Sequence, residues 1–92
     1  MTEDITPDYE SDAFIQDVPN GYVVVYEQER VSMLSTMDAA VGDLVNIMQR
    51  DQYYPNAWFV NDHGNVTLLI ITIDEHPSMD DFTWDYSDVS YV

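Results

Sequence analysis

The fold is decided by the stretch AWFVNDHGNVTLLIITI, which spans residues 57–73. Its two apolar segments, residues 57–61 and 66–73, are rich in β-branched and aromatic side chains, which favour extended strands. Between them stands the short polar link His63-Gly64-Asn65, and a glycine in such a link is typical of a hairpin turn. The stretch therefore predicts two neighbouring antiparallel strands.

The second strand of this hairpin is apolar at every position from 68 to 71, which predicts a strand buried on both faces. One helix covers only one face of a sheet, so a second element has to cover the other face. Three candidates remain open: the aromatic C-terminal segment with Phe82, Trp84 and Tyr86, the segment at Phe14-Ile15, or a second copy of the chain in a homodimer.

An amphipathic helix is predicted over residues 36–51. Ser35 and Thr36 offer an N-cap, and Asp38 follows in the first turn, where a negative charge suits the helix dipole. Gly42 inside the helix costs about 1 kcal/mol relative to alanine, which we interpret as a sign of close packing against a neighbour. The apolar residues that recur at helical spacing are Met37, Ala40, Val41, Leu44, Val45, Ile47 and Met48.

Further strands are predicted before the helix and near the C-terminus. Residues 22–26 (YVVVY) follow a turn at residues 18–21 and form a strand, with a short partner strand at residues 31–34. Near the C-terminus the sequence alternates with period two, which predicts an edge strand. Its apolar face holds Phe82, Trp84 and Tyr86, and its polar face holds Asp81, Thr83, Asp85 and Ser87.

These elements predict an α+β fold. We expect a small antiparallel sheet of about four to five strands, in a ββαββ-like order, with the amphipathic helix on one face. Residues 1–13 are polar and acidic, and they are predicted to form a flexible acidic arm. Residues 14–92 are predicted to form a single α+β domain, because a chain of 92 residues has room for one domain and not two.

Charge is the most unusual property of the chain. It has 18 acidic residues, two arginines (Arg30 and Arg50) and no lysine, which gives a net charge of −16. The acids are concentrated towards the two ends, in residues 1–17 and 74–92. This balance excludes direct nucleic-acid binding through a basic patch, and it opposes binding to an anionic membrane.

Composition narrows the remaining classes further. The chain has no cysteine, so a disulfide scaffold, a thiolate metal site and a thiol nucleophile are excluded. The longest apolar run, residues 66–73, is too short to span a bilayer, and the acidic N-terminus differs from a secretory signal. We therefore expect a cytoplasmic protein, located in the host cell if a phage encodes it.

Neither catalysis nor a metal site is predicted. The two histidines, His63 in a tight turn and His76 before a proline, stand in no catalytic signature, so we expect a protein that is not an enzyme. Residues 8–12 imitate the start of a calcium loop, but alanine and proline stand where its glycine and glutamate belong. The acids in residues 74–81 are interpreted as a hydrated loop, and no cofactor is expected.

The charge density of the chain approaches that of DNA. Duplex DNA carries one negative charge per ~1.7 Å of its axis, so the net charge of −16 corresponds to roughly 27 Å of duplex. A folded domain of this length is about 30 Å across. A basic cleft that binds phosphates would attract such a surface, and the aromatic residues among the acids supply anchors that charge alone does not provide.

In size and composition the chain resembles the DNA-mimic inhibitors of phages and mobile elements, which are small, acid-rich, lysine-poor and free of cysteine. The resemblance covers the whole chain and rests on no motif. It implies a protein that binds a restriction enzyme, a CRISPR effector or another basic DNA-binding protein and inhibits it by occupying the DNA site. Two alternatives stay open: a halophile-type acidic domain, and an adaptor that binds a basic partner protein of another kind.

The predicted partner-binding residues lie near the C-terminus. Alternate residues on a strand are about 6.7 Å apart, so acids at such positions form a regular row of carboxylates. Trp84 and Tyr86 are the predicted anchors. The predicted contacting acids are Asp74, Glu75, Asp80, Asp81, Asp85 and Asp88.

Overall fold

The computed structural model describes residues 6–73 and 82–91. These ranges hold six strands and one α-helix. No helix within them has the length and hydropathy that crossing a membrane requires. The elements are β1 Ala13–Val18, β2 Gly21–Tyr26, β3 Glu29–Leu34, α1 Met37–Asp51, β4 Ala57–Val60, β5 Val66–Ile73 and β6 Phe82–Tyr91.

The strands of the described residues join one mixed sheet in the order β3-β2-β1-β4-β5-β6. Neighbouring strands are antiparallel except β1 and β4, which run parallel. The predicted α+β class with one helix is therefore confirmed for this part of the chain. The expectation of an antiparallel sheet of about four to five strands in a ββαββ-like order is matched only in part, because β1 adds a sixth, central strand that pairs in parallel with β4.

β1 is the strand that the sequence pattern did not predict. Its residues Gln16 and Asp17 are polar, which hides the alternation expected of a strand. Phe14 and Ile15 dock on the core from a central position between β2 and β4. The pairing with β4 is parallel because the chain crosses back through α1 before β4 begins, which is the connection that parallel strands need.

The two predicted hairpins are present. β4 pairs antiparallel with β5, and β2 pairs antiparallel with β3. Glu27 and Gln28 turn the chain between β2 and β3 in a left-handed backbone conformation. The predicted turn between β1 and β2 ends at Gly21, where a Cβ atom would collide with the carbonyl oxygen of Leu34. Glycine is therefore required at this position by the close approach of the β3 backbone.

α1 begins and ends where the sequence predicts. Thr36 is the N-cap, since its Oγ1 accepts a hydrogen bond from the amide of Ala39 at 3.1 Å. Gln52 adopts a left-handed conformation after the helix, and its backbone N–H donates a hydrogen bond to the carbonyl of Met48. The buried face of α1 consists of Ala40, Val41, Leu44, Val45, Ile47 and Met48.

α1 packs on one face of the sheet, which we call the helix side. The fully buried residues of this core include Ile15, Val24 and Leu44. The neighbour expected at Gly42 is Phe82 of β6, because a Cβ atom at Gly42 would lie 3.4 Å from Cζ of that ring. This distance is an ordinary van der Waals contact, so a neighbour packs at Gly42 as expected but leaves room for a methyl group.

The opposite face of the sheet, which we call the open side, carries a smaller core. Trp58 is fully buried there beside Phe14 and Val66. The predicted burial of β5 on both faces is only partial, because Ile70 on the open side is 54% exposed. Tyr9 stacks on Phe14 with ring centroids 4.8 Å apart, so the turn before β1 covers part of this side. The C-terminal segment instead extends the sheet as β6.

Residues 8–12 form a turn that leads into β1. The hydroxyl of Tyr53 donates a hydrogen bond to the carbonyl of Ser11 at 2.9 Å, and the amide of Ala13 donates to the carbonyl of Asn56 at 2.9 Å. This turn is therefore bonded to the segment between α1 and β4. The division into an arm, residues 1–13, and a domain, residues 14–92, stays a prediction.

Candidate interaction surface

β6 carries the predicted partner-binding residues that the structure describes. It is an edge strand, as predicted, and its side chains alternate between the two faces of the sheet. Trp84 and Tyr86 lie on the helix side, whereas Asp85 is exposed on the open side, opposite Ile70. Asp88 is a residue of β6. The other predicted acids lie outside the described residues: Asp74, Glu75, Asp80 and Asp81.

The predicted contact residues are therefore divided between two faces. A partner that covers the rings of Trp84 and Tyr86 approaches from the helix side, and one that binds the carboxylate of Asp85 approaches from the open side. Only a partner that closes around the edge of β6 contacts both. The two predicted anchors lie together on the helix side, and Asp85 lies on the other face.

An aromatic strip, which we define as Tyr22, Phe59, Tyr86 and Trp84, crosses the helix side. The ring centroids are 6.4 Å apart for Tyr22 and Phe59, 5.4 Å for Phe59 and Tyr86, and 5.3 Å for Tyr86 and Trp84. The last two pairs meet edge to face, which is a favourable geometry for aromatic side chains. The strip exists because the sheet order brings β2, β4 and β6 into one surface.

This strip is the exposed margin of the helix-side core. Tyr22, Phe59 and Trp84 are partly buried and pack against that core. Tyr86 is 42% exposed. The strip is therefore an aromatic surface that is supported from below by packed side chains.

Two carboxylates flank the strip. Asp38, in the first turn of α1, accepts a hydrogen bond from Nε1 of Trp84 at 2.9 Å. Asp17 lies on β1 directly opposite Tyr22 of β2. The pKa of Tyr86 is raised, first by burial and then by the nearby Tyr22 and Asp17. The negative charge of Asp17 therefore acts on the exposed ring of the strip.

An open depression of about 330 Å³ adjoins the Tyr22 end of the strip. Its lining comes from the turn between β1 and β2 and from Ser35, just before α1. Asp17 and Asn20, which carry an acidic and a polar side chain, are among the lining residues. The depression offers room and polar partners for the charged end of a long side chain.

The sequence predicted only two of the four rings of the strip as site residues. Tyr22 and Phe59 were assigned to strands, but no local pattern shows that β2 and β4 present them beside β6. Asp17 was within reach of prediction, because the turn at residues 18–21 places it opposite Tyr22. The bond between Asp38 and Trp84 joins residues 46 positions apart and has no local signal.

The remaining surface is acidic with little compensation from cations. Arg50 pairs with the adjacent Asp51 at 2.9 Å. Their hydrogen bond, followed by their mutual attraction, raises the pKa of Arg50, and the same bond is the largest cause that lowers the pKa of Asp51. Exposed acids on turns and strand ends include Glu10, Glu27, Glu29 and Asp62.

The acids that imitate a calcium loop serve a structural role. Asp8 accepts hydrogen bonds from the hydroxyl of Ser11 at 2.7 Å and from the amide of Glu10 at 3.0 Å, and these bonds lower its pKa. Asp12 is buried and accepts a hydrogen bond from Trp58. In the described ranges no three histidine or acidic side chains are grouped as a metal site needs.

Comparison with known proteins provides no relative: no protein family, no curated protein and no solved structure matches the chain. The charge and the aromatic strip are therefore the features from which a function has to be inferred.

Proposed function

We propose that this protein is an acidic DNA mimic that binds a basic DNA-binding protein, such as a restriction enzyme or a CRISPR effector complex, and inhibits it by occupying its DNA site. It acts by binding and not by catalysis, and its place of action is the cytoplasm, that of the host cell if a phage encodes it. The proposed contacts are the acids and rings of the C-terminal segment: Asp74, Glu75, Asp80, Asp81, Trp84, Asp85, Tyr86 and Asp88.

One observation carries this proposal: the chain is acidic almost without compensation. Its 18 acids stand against two arginines, and one of these, Arg50, is paired with Asp51. Repulsion among like charges destabilises a folded protein. A surface of this kind is favoured where a partner of opposite charge uses it, and it promotes fast association with that partner.

The dimensions of the molecule agree with this reading. Its longest extent is 40 Å, and a DNA duplex of that length carries about 24 phosphate charges. The net charge of −16 is therefore about two thirds of the charge that a DNA-binding cleft meets over the same length. A cleft built for phosphates would be strongly attracted to it.

The two alternative functions predict different behaviour. A halophile-type acidic domain is marginally stable at low salt and gains stability as salt screens its charges. A DNA mimic is folded at low salt and releases its partner as salt rises. An adaptor for a basic protein of another kind also releases its partner in salt, but duplex DNA does not compete with it.

The test is capture of partners from a bacterial lysate at low salt, with elution by a salt gradient and by duplex DNA. We expect one nuclease or DNA-binding protein to elute late and to be displaced by the duplex. The purified partner should then lose DNA binding as this protein is added. Early elution of many basic proteins, or a partner that the duplex does not displace, contradicts the proposal.

Two variants that remove the same amount of charge locate the surface. We expect the first to weaken partner binding at least about tenfold and the second far less, because charge at the contact matters more than charge elsewhere. Equal losses would refute the C-terminal assignment. The first variant converts to amides Asp74, Glu75, Asp80, Asp81, Asp85 and Asp88. The second converts Glu3, Asp4, Glu10, Glu27, Glu29 and Asp62.

A further inference from the structure

We infer that the aromatic strip receives an arginine side chain of the partner protein, with the guanidinium stacked on Tyr86 and paired with the carboxylate of Asp17. The choice of a DNA-binding protein as the source of this arginine rests on the proposed function. The docking surface itself is argued from the rings and carboxylates of the strip.

Tyr86 is held as a stacking platform. Phe59 and Trp84 contact it edge to face, with interplanar angles of 64° and 89°. Tyr86 nevertheless remains 42% exposed, so part of the ring is open to a ligand. A cation within about 6 Å of such a ring centre is attracted by its electron-rich face. Because two neighbours already support the ring, little ordering is needed when the ligand binds.

The carboxylates specify the charge of the occupant. Asp17 lies beside Tyr22 and in the wall of the open depression, while Asp38 is bonded to Trp84 at 2.9 Å. Two acids around a set of rings repel an anionic ligand and attract a cation. Arginine fits better than lysine, since its planar guanidinium stacks on a ring and still donates hydrogen bonds to a carboxylate.

A second copy of this chain is a poor occupant of the strip. In a two-fold dimer the same patch of both copies forms the interface, so two copies each of Asp17 and Asp38 would be gathered into it. Each copy also brings a net charge of −16. Like charges placed opposite each other across an interface disfavour the contact. The charge balance that opposes self-association favours a basic partner.

Two peptides of equal charge test the inference on the intact protein. One alternates arginine with glycine and the other alternates lysine with glycine. We expect the arginine peptide to bind more tightly and to shift the NMR signals of the Trp84 indole and the Tyr86 ring more than that of the Trp58 indole. Tyr86→Leu should lower the affinity for the arginine peptide two- to fivefold, as the loss of one exposed cation–π contact predicts.

Matched controls separate this contact from general charge. Tyr54 is 54% exposed and lies after α1, so Tyr54→Leu should leave the affinity unchanged. Tyr86→Phe keeps the ring and should bind as the unchanged protein does, which also guards against misfolding of the leucine variant. Asp17→Asn should weaken binding more than Glu29→Gln, although both remove one charge. Equal binding of the two peptides, or equal effects of the paired variants, overturns the inference.

The result for the captured partner distinguishes this inference from the proposed function. If duplex DNA displaces the partner but Tyr86→Leu binds it unchanged, the DNA mimic stands and the arginine site is refuted. If the arginine peptide binds the strip but duplex DNA displaces no partner, the arginine site stands and the DNA mimic is refuted. Light scattering that shows a dimer dissociated by Tyr86→Leu would assign the strip to self-association and overturn the inference.

Discussion

The carboxylate of Asp12 accepts a hydrogen bond from Nε1 of Trp58 at 2.8 Å, across 46 positions of the sequence. Asp12 is 7% exposed and Trp58 is fully buried. The same carboxylate oxygen accepts a bond from the amide of Asp8 at 3.0 Å. A buried carboxylate is costly unless its oxygens are hydrogen-bonded, so these two bonds are what allow Asp12 to join the turn before β1 to β4.

Asp12→Ala should therefore lower the free energy of unfolding by about 2–3 kcal/mol, since it removes the carboxylate to which the Trp58 indole and the Asp8 amide donate. Asp12→Asn keeps a carbonyl oxygen and should cost about 1 kcal/mol. Asp62→Ala removes the same charge from an exposed turn and should change stability by about 0.5 kcal/mol or less. Urea unfolding followed by tryptophan fluorescence measures all three. If Asp12→Ala lowered the free energy of unfolding no more than Asp62→Ala does, the bond between Asp12 and Trp58 would not contribute to stability.

Local pattern predicted most elements of the fold but not its topology. The β4–β5 hairpin was predicted from two apolar, β-branched segments joined by a glycine-containing link, and α1 was predicted from apolar residues that recur at helical spacing. β1 was not, since Gln16 and Asp17 interrupt its pattern and the strand is stabilised by β2 and β4 rather than by its own composition. The parallel pairing of β1 with β4 depends on a crossover through α1, which no short-range signal encodes.

The candidate site was predictable to the same extent. Alternation along β6 identified Trp84 and Tyr86 as one face of an edge strand. Their neighbours Phe59 and Tyr22 come from other strands and become neighbours only through the sheet order. Alternation along the strand also places the two rings and Asp85 on opposite faces of the sheet. Which of these faces α1 covers is known only from the structure.

The N-cap of α1 provides a second prediction, because Thr36 stands two residues before Asp38, which is bonded to Trp84. Thr36→Ala should cost about 1 kcal/mol of stability through loss of the bond to the Ala39 amide, and Thr36→Ser should cost much less. Ser35→Ala at the adjacent exposed residue is the matched control. Loosening the first turn should also shift the NMR signal of the Trp84 indole. An unchanged indole signal in a destabilised Thr36→Ala protein would show that Asp38 is positioned without the cap.

At Gly42 we expect a small and a large side chain to change the stability of the protein in opposite directions. Gly42→Ala should stabilise the protein by up to about 1 kcal/mol, since alanine favours the helix and its Cβ meets Phe82 at near-ordinary contact distance. Gly42→Leu should instead destabilise it by about 1–3 kcal/mol, because the longer side chain has to displace that ring. Thermal unfolding of both variants is the measurement. If Gly42→Ala also destabilised the protein, the Phe82 ring would be unable to shift even enough for a methyl group.

Tyr26 provides the last prediction, which concerns alkaline pH. Its hydroxyl is buried and makes no hydrogen bond of good geometry within the described residues, and its pKa is raised by burial, then by the charges of Asp51 and Glu27 and by the contact of the hydroxyl with the Asp51 side chain. An unfolded tyrosine ionises near about pH 10, so above that pH the folded chain retains a proton that the unfolded chain loses, and stability falls as pH rises. Tyr26→Phe should reduce this loss and should change stability at neutral pH by about 1 kcal/mol or less, because the variant removes only the contact of the hydroxyl with Asp51. Tyr54→Phe at an exposed position is the control. Denaturation curves at pH 7 and above pH 10 measure the loss of stability in both variants. An equal alkaline loss in both would show that ionisation of Tyr26 is not linked to folding.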